Sequence, residues 1–167
     1  MTRSHLVRHG TAGDRHTWHD ADELRPLDEE GRRQAEALVA LLSEAVIERL
    51  LSSPYLRCVQ TLEPLAAARG MPVETTPVLA EGAGGAGAVE LMSRNEALVA
   101  CSHGDVIEEA LDLLAAAGVA LEGRSGETPK GATWVFDVRN GVIVTGALLP
   151  RKAPRTTPEA PGGNQGG

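Results

Sequence analysis

Apolar and polar positions fall in blocks along this chain, short apolar runs giving way to longer amphipathic ones. His5 to Arg8 is a short run that halts at Gly10 and predicts a strand. Leu27 to Ser43 predicts a helix: Ala35, Leu38, Val39 and Leu42 recur at helical spacing. Asp28 can cap it, and the acidic residues that follow suit the positive end of its dipole. Ile47 to Ser52 reads as a second buried strand. A helix from Tyr55 to Arg69 comes after Ser53-Pro54, and Gly70 with Pro72 beyond it is a stop signal. Pro72 to Leu79 is strand-like, Leu98 to Ser102 is another strand, and Asp105 to Ala117 is a helix ending at Gly118.

The pattern changes near the C-terminus. Ala132 to Val138 and Val142 to Leu149 are β-rich runs separated by Arg139-Asn140-Gly141, and Asn-Gly is a strong hairpin signal. From Pro150 the chain is rich in Pro, Gly and Thr and nearly devoid of apolar residues, which predicts a disordered tail over 150–167. Residues 1–149 then form a single domain. Alternating strands and helices closed by a hairpin predict an α/β three-layer sandwich, its mostly parallel central sheet flanked by helices. Ligands of such sheets collect at the carboxyl ends of the strands.

Composition narrows the function. Aromatic residues are only 2% of the chain, so the core is aliphatic and a base-stacking surface is not expected. A formal net charge of -7 argues against nucleic acid or an anionic membrane as partner. The two cysteines, Cys58 and Cys101, are too few for a disulfide framework and read as small buried hydrophobes. With no signal-peptide core and no membrane-length apolar run, the expected location is the cytoplasm.

Against that acidic background, cationic side chains gather at predicted strand ends. Leu6-Val7-Arg8-His9-Gly10, Leu50-Leu51-Ser52-Ser53-Pro54-Tyr55-Leu56-Arg57 and Val99-Ala100-Cys101-Ser102-His103-Gly104 share one layout: an apolar strand, then His or Arg at its end. If the strands are neighbours, Arg8, Arg57, His9 and His103 converge and build an anion site. Gly10 and Gly104 would let backbone approach the ligand, and helix N-termini would add positive dipole. A neutral imidazole is a competent nucleophile towards phosphorus, and nearby arginines should keep His9 neutral. Guanidinium groups bind phosphate oxygens in pairs and stay charged. Glu81, just past a predicted strand end, is the candidate acid for the leaving oxygen.

Leu6-Val7-Arg8-His9-Gly10-Thr11 resembles the signature of the histidine phosphatase superfamily, the phosphoglycerate mutase-like group. Leu27-Asp28-Glu29-Glu30-Gly31-Arg32-Arg33-Gln34-Ala35 resembles the helix start that follows it there. Ser52-Ser53-Pro54-Tyr55-Leu56-Arg57-Cys58-Val59-Gln60-Thr61 resembles the second arginine motif, and Ser102-His103-Gly104 the second histidine motif. The resemblance spans residues 5 to 149. It implies that His9 is phosphorylated during turnover, that Arg8, Arg57 and His103 complete the phosphate pocket, and that no metal or other cofactor is required. It implies the phosphoglycerate mutase-like sandwich as the fold. Insertions over the site look absent or very short, at Gly82 to Ala88 and Gly123 to Gly131. The segment between His9 and Leu27, with its Arg25-Pro26-Leu27, looks most like the short bacterial phosphohistidine phosphatases, and also resembles phosphatase domains that some bacteria fuse to nucleotide-cleaning hydrolases.

The expected activity is therefore release of phosphate from a phosphohistidine protein or a small phosphoester. The competing readings are a phosphomutase of the same superfamily and a non-catalytic phosphate- or protein-binding module. His16 and His19, three apart near Asp20, invite a metal reading, but the stretch lacks helical periodicity and reads as a surface loop. Asp105 reads as a helix cap. The substrate is decided by loops near His16 to Arg25, Gly82 to Gly87 and Gly123 to Lys130, and the sequence sets neither it nor the oligomeric state.

Overall fold

The computed structural model describes residues 1–150, and the predicted disordered tail, from residue 151 on, lies outside them. Eleven elements alternate along the chain: β1 (Thr2–Arg8), α1 (Glu29–Leu41), β2 (Arg49–Ser52), α2 (Leu56–Arg69), β3 (Val73–Thr75), α3 (Ala86–Met92), β4 (Leu98–Ser102), α4 (Gly104–Ala116), β5 (Ala120–Glu122), β6 (Thr133–Arg139) and β7 (Val142–Leu149). Short 3-10 turns lie at Asp22–Leu24 and Pro77–Leu79. One seven-stranded sheet runs β3-β2-β4-β1-β6-β7-β5. The β3-β2-β4-β1 half is parallel throughout, so those four carboxyl ends share one edge. β6 then pairs antiparallel with β1 and with β7.

Strand periodicity divides the apolar residues between two faces. Leu6, Leu51, Leu98 and Ala100 pack with Val106, Ile107, Ala110 and Leu111 of α4 and with Ala88, Leu91 and Met92 of α3. Val7, Leu50, Val99 and Cys101 point the other way, onto Leu38 of α1 and Cys58, Leu62 and Leu65 of α2. Each fully buried leucine contributes about 1.5–3 kcal/mol of transfer free energy. The result is helix, sheet, helix, as the sequence pattern implies.

Capping chemistry sets the element ends. Asp28 accepts the Gly31 N–H at 2.8 Å and starts α1, which ends at Leu41, two residues short of the Ser43 expected. Gly70 closes α2 in the left-handed conformation. The hairpin turn places both Asn140 and Gly141 at positive φ, the geometry Asn-Gly favours.

Two stretches depart from expectation. Only Val73–Thr75 of the run from Pro72 to Leu79 is strand; Pro77 turns the rest into a 3-10 turn whose Leu79 is buried. The stretch read as a short insertion at Gly82 to Ala88 leads into α3, whose start packs on α4. A Cβ at Gly85 would collide with the backbone of Ala110, so glycine there permits the close approach of the two helices. That segment belongs to a layer of the sandwich.

Candidate active site

The order β2-β4-β1 sets three strand ends side by side. Arg8 and Ser102 are direct partners across β1 and β4, and Ser52 pairs with Cys101 across β2 and β4. The next residues, His9, Ser53 and His103, therefore emerge together. The His9 N–H donates to the Ser102 carbonyl at 3.1 Å, and the Ser53 N–H donates to the Cys101 carbonyl at 3.0 Å. The two histidine rings meet edge to face with centroids 5.3 Å apart.

His9 is buried, and its Nδ1 lies 2.7 Å from the Gly10 carbonyl oxygen. A carbonyl only accepts, so Nδ1 carries the hydrogen and Nε2 keeps its lone pair. Burial does most to push the imidazole down. The Gly10 carbonyl opposes that, while His103, Arg57 and Arg8 add to it, and the ring titrates at about 3. His9 is a neutral imidazole across the physiological range. The arginines act in the expected direction, but desolvation outranks them.

Both arginines are held from behind. Arg8 Nη1 donates to the Thr128 carbonyl at 2.6 Å. Thr128 is itself fixed by its N–H to Glu108 at 2.7 Å and by the Trp134 indole N–H to its hydroxyl at 2.9 Å. Arg57 is almost fully buried. Its Nη1 donates to the Asp22 carbonyl at 2.9 Å, its Nη2 to the Asp22 carboxylate at 3.1 Å, and its guanidinium lies 4.9 Å from the Tyr55 ring centroid. Arg25 braces the same carboxylate from the other side at 3.0 Å. Desolvation works against the charge on Asp22, but these two arginines outweigh it and hold its carboxyl below the usual range.

Arg8 Nε, Arg57 Nε and His103 Nδ1 are buried with no hydrogen-bond partner in the protein. Unmet buried polar atoms are costly, so two guanidinium donors and a ring nitrogen left unpaired around one histidine are a strong pointer to an anionic ligand. Among the described residues only His5 Nδ1 and Thr133 Oγ1 share that condition.

The other expected residues fall into place around this core. Glu81 sits on the rim, 3.5 Å from Arg57 and 3.2 Å from Arg15. A Cβ at Gly104 would lie 2.8 Å from the Arg8 guanidinium carbon, so the crowding there comes from the arginine. At Gly10 it comes from α1, with the Gly31 carbonyl oxygen 2.9 Å away. Thr61 ties the Gly10 N–H, at 3.0 Å, to the Arg57 carbonyl, at 2.7 Å. Asp105 does not cap α4, whose N-cap is His103; its carboxylate accepts the Gly82 N–H at 2.8 Å and holds the Glu81 loop to the helix. His16 and His19 are exposed on the loop before Asp22 and join no metal-holding cluster among the described residues. Cys58 and Cys101 are buried free thiols, with Cys58 Sγ 3.5 Å from His103 Nε2.

Sequence reasoning missed Asp22 and Thr128. Asp22 lies 35 residues from the arginine it holds, and only the length of the first loop, rich in acidic residues, hinted that something reaches back.

With this geometry in view, the family model described as histidine phosphatase superfamily (branch 1) matches residues 4–96, more than half of the chain. The chain belongs to the histidine phosphatase superfamily. An 8-oxo-(d)GTP phosphatase of Mycolicibacterium smegmatis is 36% identical over 146 residues, covering 83% of this chain and 45% of that protein. The chain thus spans less than half the length of that relative. Two solved histidine phosphatase structures share the fold. The SixA protein of Agrobacterium tumefaciens is 24% identical with a TM-score of 0.69, covering 92% of this chain and 99% of its own. The protein histidine phosphatase SixA in complex with tungstate is 23% identical with a TM-score of 0.64, covering 88% and 94%. Among the described residues, no helix of this superfamily member is long and apolar enough to cross a membrane.

Proposed function

We propose that the chain is a phosphatase working without a metal through a phosphohistidine on His9. The observation that carries this reading is the set of three unpartnered buried nitrogens, of Arg8, Arg57 and His103, around an imidazole whose Nε2 is bare. In the first half-reaction, His9 Nε2 attacks phosphorus, the N–P bond forms and the bond to the leaving atom breaks, an ester oxygen in a phosphoester or an imidazole nitrogen in a phosphohistidine. Arg8, Arg57 and His103 take up the charge on the equatorial oxygens as they are already aimed, which is where catalysis of phosphoryl transfer chiefly lies. Glu81, on the rim beside Arg57, gives that leaving atom its proton. In the second half it takes a proton from water as that water attacks phosphorus, releasing inorganic phosphate and restoring His9.

The substrate is a phosphohistidine protein or a small phosphoester. The likeness to an 8-oxo-(d)GTP phosphatase favours a second reading, in which the phosphate is carried by a nucleotide. The loop after Gly82 runs into α3 instead of over the site, which supports a phosphatase in preference to a mutase that must shield its phosphoenzyme. The protein should be tested on an aryl phosphate, phosphohistidine protein and nucleotides with chelator present, alongside acid- and base-stability of the trapped phosphoenzyme. Phosphate release by the wild type, with a base-stable, acid-labile adduct absent from His9→Ala, is expected. Retained turnover in His9→Ala would sink the mechanism, and loss in chelator would sink its metal independence.

A further inference from the structure

His103 is gripped on one side and open on the other. Its ring lies edge-on between His9, at 5.3 Å, and Tyr55, at 4.7 Å, so the ring plane is set by packing. Its Nε2 is 2.8 Å from the Ser53 hydroxyl and its buried Nδ1 has no partner. Packing places the ring, but only a hydrogen bond decides which nitrogen holds the proton. In water a neutral histidine prefers Nε2–H, which here would leave a bare Nδ1 lone pair. Facing phosphate oxygens, that lone pair would repel.

We infer that Ser53 fixes His103 in the tautomer with its proton on Nδ1, making Ser53 the positioning residue that turns His103 into a donor. The argument is one of proton counting. A serine hydroxyl has one proton and two lone pairs. The Tyr55 N–H already donates to the Ser53 oxygen at 3.2 Å, filling one lone pair. Ser53 is fully buried, so its own O–H must find an acceptor inside the protein. The imidazole lone pair at 2.8 Å is a far better acceptor than the neighbouring Cys58 sulfur, which lies 3.5 Å from the same Nε2. Donation to Nε2 leaves the remaining proton on Nδ1. The serine cannot swing away, because its N–H is tied to the Cys101 carbonyl on the strand that ends in Ser102 and delivers His103. His9 is put in the same tautomer by the Gly10 carbonyl for the opposite purpose, freeing Nε2 as nucleophile.

The use of that donor rests on the phosphatase reading; the tautomer does not, and the test keeps them apart. Ring nitrogens of the histidine-labelled protein are observed by NMR in mildly alkaline buffer, with His103→Gln assigning the resonance. The wild type should show His103 protonated on Nδ1 and unprotonated on Nε2. Ser53→Ala should shift it towards the Nε2–H form, weaken orthovanadate binding about tenfold, as one lost hydrogen bond to a charged group would, and lower kcat/KM similarly. Ser53→Thr, which keeps the hydroxyl, should restore all three. An Nε2–H signal assigned to His103 in the wild type overturns the inference even if neither Ser53 variant folds, as does an unchanged tautomer in folded Ser53→Ala. The expected spectra in a protein that releases no phosphate from any substrate would overturn only the phosphatase reading.

Discussion

His5 and His9 stand at the two ends of one short stretch of β1 and its exit, both buried, and burial pushes both down, to about 4 and about 3. Their surroundings differ in kind. His5 opens towards the amino-end edge of the sheet, where Met1, Leu41, Val46 and Leu149 line a largely apolar groove of about 920 Å³. Arg3 is the charged neighbour that adds to its depression. His9 leaves the carboxyl end, where three strands deliver their donors to one point and the ring's own hydrogen is committed to Gly10. A depressed histidine is thus a mark of burial alone. What distinguishes the candidate site is the convergence of donors that have nowhere to go inside the protein.

The sharpest way to break the comparison is to remove each histidine. His9→Ala should lower kcat/KM on an aryl phosphate by about three orders of magnitude or more, as loss of a nucleophile does. His5→Leu should leave kcat/KM within about twofold, since nothing links it to the site's donors. Comparable losses in both, measured on folded protein, would erase the distinction.

A smaller effect is expected behind the cradle. Asp22→Asn keeps the backbone carbonyl that binds Arg57 but removes the charge that holds both Arg57 and Arg25. If Arg57 holds the phosphoryl group as proposed, loosening it in this way should cost about tenfold to a hundredfold in kcat/KM. A melting temperature near that of the wild type would show that the loss is one of positioning.

Stability against pH is a separate readout and treats the two histidines alike. An unfolded histidine charges near 6.5, whereas folded His5 and His9 stay neutral down to about 4 and about 3. The unfolded chain therefore binds more protons in that window, and stability falls as pH drops through it, by roughly 1.4 kcal/mol per pH unit for each histidine. Urea midpoints across this range should show the loss, and His5→Leu should remove about half of the slope. An undiminished slope in the variant would mean other groups drive it.

Much of this architecture is legible in the chain before folding. β1, α1, α2, β4 and the hairpin are carried by local signals: the Asp28 cap, Gly70 at positive φ, and Asn140-Gly141. Arg8, His9, Arg57 and His103 could be listed because each lies at or shortly after the end of an apolar strand. α3 could not be read, because Gly85-Ala86-Gly87-Ala88 has no apolar period and depends on a fit against Ala110 in α4. Nor could β5, three residues placed only by pairing with β7. Asp22, Thr128 and the Ser53–His103 bond escape sequence reading for one reason: each is a contact across 35 residues or more.

β1 precedes the other strands of its sheet along the chain and leads directly into His9, yet both of its sheet partners come late. Leu6 pairs with Ala100 on one side and with Trp134 on the other. A ribosome-bound chain that has emerged only as far as α3 holds His9 at the end of a strand with no neighbour. Loop closure over such distances slows folding and leaves an apolar edge bare meanwhile. The order of the strands makes the candidate site one of the last parts of this sheet that synthesis can assemble.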